Sequence, residues 1–207
     1  MKAQAKKYVR MFLLAVLSGL VIGVGGTVFL SAENRVVGAV LFTVGLYTIC
    51  IQGLNLFTGK VGYLFDNKPI YLVELLVIWL GNFLGTVISA ALILQTRIAG
   101  IAETARSICE VKLQDGYVSL FVLGIFCGML MFIAVDGYKR TNGNPLFLFM
   151  GVVTFILCGF EHCIADMFYF TLAGMWSAKA LLCILVITLG NSVGGVLIPV
   201  IKKFPEK

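Results

Sequence analysis

The chain has 207 residues, of which 60% are apolar and only 13% charged, and its formal net charge is +6. An average soluble domain is about 45–50% apolar and about 25% charged, which excludes a soluble enzyme, a nucleic-acid-binding domain and a disordered chain. At about 20 residues per crossing helix, the length suits roughly six membrane spans in one transmembrane domain, residues 1–207.

The first apolar run covers residues 11–30, behind Lys2, Lys6, Lys7 and Arg10. It is longer than the roughly 7–15 residues of a signal-peptide core, so it reads as a retained helix. The second covers 36–65 and is interrupted near 52–60. The third covers 70–94, and a charged segment at 95–115 follows it, with room for a short interfacial helix. The fourth covers 116–135. The fifth covers 146–172 and is interrupted near 158–166, and the sixth covers 178–201.

Six spans place both termini on one side. Eleven of the sixteen basic residues then fall with the termini, among them Lys60, Lys68, Lys139, Arg140, Lys202, Lys203 and Lys207. Arg35, Arg97, Arg106, Lys112 and Lys179 fall opposite. The excess of Lys and Arg predicts cytoplasmic termini in a multi-pass protein of the cytoplasmic membrane. None of the six cysteines forms a C-x-x-C pair, and five lie in apolar runs, as small reduced core residues do.

The third and sixth runs share a motif. Leu80-Gly81-Asn82-Phe83-Leu84-Gly85 and Leu189-Gly190-Asn191-Ser192-Val193-Gly194 both read L-G-N-x-x-G, 109 residues apart. The two interruptions, at Thr58 and His162, are 104 residues apart. Runs one to three therefore correspond to runs four to six. With an odd number of spans in each, the two repeats, near 8–98 and 112–203, must be inverted. Such a repeat with broken helices marks a channel or transporter. Broken backbone at membrane depth is tolerated where it is buried in protein or lines a cavity. Half-helix N-termini there offer N–H groups to an anion.

His162 is the only histidine and lies in the fifth-span break. An ionisable group at bilayer depth is costly and points to a pathway role, and desolvation favours its neutral form. Glu161 and Asp166 flank it. Glu161 points away from His162 on a helix, so both acids read as loop support bonded to backbone. Cys158, His162 and Cys163 are too sparse for a metal site, and no cofactor is expected. Thr58 supplies a hydroxyl to the other break. Phe42, Leu46, Leu56 and Phe155 neighbour the breaks, where a narrow apolar ring excludes hydrated ions. Lys112 alone reads as a solvated lysine.

The stretch Gly159-Phe160-Glu161-His162-Cys163-Ile164-Ala165-Asp166-Met167-Phe168 closely resembles the fifth-helix signature of the formate/nitrite transporter family. Asn55-Leu56-Phe57-Thr58-Gly59 resembles its second-helix loop, and Gly190-Asn191-x-x-Gly194-Gly195 its sixth-helix motif. The resemblance covers nearly the whole chain. It implies an all-α, aquaporin-like protomer of six transmembrane helices in two inverted three-helix repeats, the second and fifth helices broken. It implies a homopentamer in membrane lipid, passing small weak-acid anions such as formate, nitrite or hydrosulfide. It puts His162, Thr58 and Asn191 at the pore centre and Phe42, Leu46, Leu56 and Phe155 at constrictions. It makes Lys112 the vestibule cation that attracts the anion, which takes a proton from water or through His162 before crossing. Two positions depart from the pattern. Gly128 stands where the family carries an asparagine, taken as a pore residue, and Asp166 replaces another asparagine.

Other classes fit less well. A membrane-embedded substrate-binding subunit of a multi-component vitamin transporter accounts for six spans but not for the twin motif. A neutral-solute channel of aquaporin type lacks its Asn-Pro-Ala boxes here. A membrane enzyme needs a catalytic set beyond one histidine.

Overall fold

A computed structural model describes residues 2–204, with side chains from residue 4 onward. Lys207, and the side chain of Lys2, both counted above for orientation, lie outside the described residues. The described chain is all helical, with nine α-helices. They are α1 (Lys2–Ser31), α2 (Arg35–Ile51), α3 (Phe57–Lys60), α4 (Tyr71–Leu94), α5 (Ile101–Gln114), α6 (Tyr117–Arg140), α7 (Leu146–Cys158), α8 (Cys163–Leu172) and α9 (Ala178–Lys202). A 3₁₀ turn, Val61–Asp66, continues α3.

Four helices, α1, α4, α6 and α9, are long and apolar enough to cross a membrane. Taken together, α7 and α8 are also long and apolar enough to cross one, with a bend of 55° at their break. Helix α2, with 17 residues, is shorter. Large apolar side chains such as Val118, Met150 and Leu189 stay exposed on the outside of the bundle, as a lipid-facing surface requires.

Glycine sets the tightest contacts. Helix α4 packs against α1, and α9 packs against α6. A Cβ on Gly85 would overlap the Val16 carbonyl, and one on Gly194 the Ile125 carbonyl. In lipid, helices associate through such close backbone approach because apolar burial alone brings no gain. Gly194→Ala is expected to lower stability by about 1–3 kcal/mol, read as an earlier thermal transition in detergent. Gly100→Ala, which meets nothing within 4 Å, is the matched control.

The same contact corrects the expectation at Gly128. A Cβ there would overlap the backbone carbonyl of Asn191. Position 128 is a helix-packing site facing α9 backbone, with no room for an asparagine side chain. Gly19 meets the carbonyl of Asn82 in the same way.

Both breaks are shorter than the sequence suggests. Helix α2 ends at Ile51, and α3 begins at Phe57. Helix α7 ends at Gly159, whose left-handed φ of 70° suits glycine. Helix α8 begins at Cys163, so residues 163–166 form a helical turn rather than loop. The second half-elements cross over: α8 packs on α4, and the 3₁₀ turn packs on α9. The charged segment after α4 does contain a helix, α5, whose buried stripe Ala105, Cys109 and Lys112 lies at helical spacing. One end of the bundle gathers both ends of the described chain. Lys7 pairs with Glu74, and Lys203 with Asp66 at 2.6 Å.

Candidate functional site

Two asparagines hold the two breaks. Asn82 accepts from Phe57 N at 2.9 Å and donates to Asn55 O and Ala15 O, both at 2.8 Å. Asn191 accepts from Cys163 N at 3.0 Å and donates to Glu161 O at 2.8 Å and Gly124 O at 2.9 Å. Each amide makes three bonds, two of them to loop backbone that has left the helical ladder. A side-chain amide offers one carbonyl and two N–H donors, which these sites use fully. This gives the L-G-N-x-x-G motif a physical meaning: the glycines let the helix approach, and the asparagine secures the break. Both asparagines are fully buried. The sequence pointed to Asn191 and left Asn82 unassigned, although the twin motif carried the signal for both.

These bonds change the expectation for the half-helix N-termini. Phe57 N and Cys163 N are taken by the asparagines, and Ala165 N by His162 Nδ1 at 3.1 Å. Three of the leading amides that would greet an anion thus already have side-chain partners.

The cap on Ala165 also fixes the histidine tautomer. Nδ1 accepts a hydrogen bond, so it carries no proton. The neutral ring therefore holds its proton on Nε2 and donates to Thr58 Oγ1 at 2.9 Å. The Thr58 hydroxyl then has its own hydrogen left to donate. His162 and Thr58 are 2% and 0% exposed, so this polar pair joins the two breaks deep inside the bundle.

Aromatic and aliphatic side chains surround the pair. The Phe155 ring stacks on His162 at 5.5 Å between centroids, and Phe42 meets Phe155 edge-on at 5.9 Å. One cavity of about 560 Å³ reaches Phe155 and His162, and Lys112, Glu161 and Asp166 also line it. A smaller cavity of about 120 Å³ reaches Leu46 and Leu56 and is also lined by Lys60 and Lys139. Phe42, Leu46, Leu56, Phe155, Thr58 and His162 thus lie together between two open cavities. Neither Lys60 nor Lys139 has a carboxylate partner among the described residues.

Lys112 differs from a solvated lysine. Its side chain is only 10% exposed and pairs with both Glu161 and, at 3.0 Å, Asp166. Burial alone would favour its neutral amine, but the two carboxylates outweigh burial and raise it above the ordinary lysine range. The Glu161 side chain reaches this lysine on α5, not the loop backbone, so the loop support expected of the two acids comes from Asn191. Asp166 sits in the first turn of α8 with its Oδ2 buried and unpartnered.

Comparison with known proteins agrees with the geometry. The family model described as formate/nitrite transporter matches residues 1–203. The formate channel FocA of Haemophilus influenzae is 29% identical over 150 residues, 65% of this chain and 52% of that protein. The nitrite transporter NirC of Salmonella typhimurium is 28% identical over 197 residues, 86% of this chain and 72% of that protein. The chain thus spans about half the length of the Haemophilus relative and about three quarters of the Salmonella one. A solved structure described as a pentameric formate channel with formate bound matches with a TM-score of 0.77 at 25% identity, covering 95% of this chain and 96% of that one. A second, described as an ion channel of the same family, gives a TM-score of 0.82 at 23% identity over 98% of this chain and 93% of that one; it bears on the fold alone.

Proposed function

The chain belongs to the formate/nitrite transporter family, and on that premise we propose that it is a channel or transporter for small monovalent weak-acid anions, formate, nitrite or hydrosulfide among them. The observation that carries this reading is the His162–Thr58 pair, set in an apolar constriction between two cavities. The chain's six apolar runs form six spans in two inverted repeats, with α2–α3 and α7–α8 as the broken second and fifth. The matched bonds of Asn82 and Asn191 support that repeat. The protein sits in the cytoplasmic membrane with its Lys-rich end, which holds both termini, inside. Its assembly is a pentamer, as in the formate-bound relative.

The constriction sets the chemistry. A bare anion leaving water for apolar surroundings pays several kcal/mol or more, whereas a neutral acid pays far less. Permeation therefore runs through the protonated acid. Lys60 and Lys139 draw anions to the smaller cavity, and the larger cavity receives them on the other side. Water in the cavity supplies the proton. His162 is poorly placed to do so, because charging its ring would put a proton on Nδ1 and break the bond from Ala165. Its neutral ring and the Thr58 hydroxyl instead offer the passing acid polar contacts where the wall is otherwise Phe and Leu.

The test is flux into liposomes holding the purified full chain, with formate, nitrite and hydrosulfide compared. Uptake of at least one is expected, faster as pH falls because the protonated fraction grows. Intact protein that passes none of the three would overturn the reading.

A further inference from the structure

Asp166 is a buried carboxyl that the permeation route leaves unused. Its Oδ1 meets Lys112 Nζ at 3.0 Å, while Oδ2 is buried with no hydrogen-bond partner. Glu161 takes another side of the same ammonium. The Asp166 and Glu161 carboxyls thus converge on one ammonium. The side chains of Lys112, Glu161 and Asp166 are 10%, 7% and 2% exposed.

Counted as ionised, the cluster holds two negative charges against one positive. An uncompensated charge in such surroundings is costly. One proton on the carboxyl pair removes the excess, and Asp166 Oδ2, which takes no hydrogen bond, is the atom free to carry it. Among the described residues, no second cation pairs with either acid. The other titratable groups that feel the Asp166 charge are Cys109 on α5, Cys127 on α6, Cys163 and Tyr169 on α8 and Cys183 on α9. Burial pushes the Cys109 thiol up to about 12, so it stays uncharged. The cavity's remaining charges, Arg35 and Glu33, cancel. One proton on the pair thus decides the sign of the whole cavity.

We infer that Asp166 makes anion access to the large cavity depend on a shared proton: with the Asp166–Glu161 pair protonated the cavity is neutral and admits an anion, and with the proton released it is net negative and repels one. The inference rests on the anion transport proposed above.

The experiment compares Asp166→Asn with the unaltered protein in liposomes across a pH series. The asparagine keeps an acceptor for Lys112 but holds no titratable proton. Taking the flux ratio of variant to unaltered protein at each pH cancels the titration of the substrate itself. That ratio is expected to climb by about tenfold or more from acid to alkaline pH, the scale of one unit charge a few ångströms away. A ratio that is flat or falls would overturn the inference. If neither protein passes any anion, the transport reading fails and infrared spectroscopy decides the cluster by itself. A protonated-carboxyl stretch that shifts in heavy water and vanishes in Asp166→Asn upholds the shared proton, and its absence from the unaltered protein overturns it.

Discussion

Lys112→Met is expected to cost more stability than any other single side-chain change at the site, about 3–5 kcal/mol. The variant leaves two carboxyls, Glu161 and Asp166, without the cation they share. Methionine matches the length of the lysine stem, so the loss comes from charge and hydrogen bonding rather than from a cavity. Unfolding in detergent, followed by thermal or denaturant scans, measures it. The test of mechanism is the triple replacement Lys112→Met, Glu161→Gln, Asp166→Asn. Removing the whole cluster removes both the buried charges and their desolvation cost, so most of the lost stability should return. If the triple variant is as unstable as Lys112→Met, the penalty is not electrostatic.

The apolar runs and the two interruptions were readable because each is a local pattern. A run of about 20 apolar residues announces a span by itself, and Gly53 and Gly159 mark where α2 and α7 stop. The twin motif was equally legible as a repeat. Its role was not, since the partners of Asn191 are 28, 30 and 67 residues away. No short window holds both ends of such a bond.

Lys112 shows the same limit more sharply. In sequence it is one charge among several on an amphipathic segment, and solvation is the natural reading. Its partner Glu161 is 49 residues downstream, on the break between α7 and α8. Only the packing of α5 on α8 brings them together. Gly128 misled for a related reason: a family pattern gives the residue type but not the direction in which position 128 points. The break boundaries moved because His162 caps α8 through its ring, accepting from Ala165 N. Asp and Ser announce such caps in sequence, and histidine does not.

The two substitutions at His162 should separate into retained and abolished transport. His162→Asn replaces the ring with a side chain that caps helices well. Its oxygen is expected to take over the bond from Ala165 N, keeping α8 in place and one polar group facing the constriction. Flux of the transported anion should stay within about tenfold of the unaltered protein, because no step requires the imidazole to carry a second proton. His162→Phe keeps the flat ring beside Phe155 but loses both nitrogens. Ala165 N is then an uncapped buried donor, the Thr58 hydroxyl loses its partner, and the constriction becomes wholly apolar. An unmet polar group in such a site costs about 1–3 kcal/mol, and a barrier raised by about 3 kcal/mol slows passage by about a hundredfold. Liposome flux at a fixed inward pH gradient reads both variants in one assay. A dead His162→Asn in a correctly assembled protein would mean that the ring itself relays the proton, and that the Ala165 bond breaks in every transport cycle.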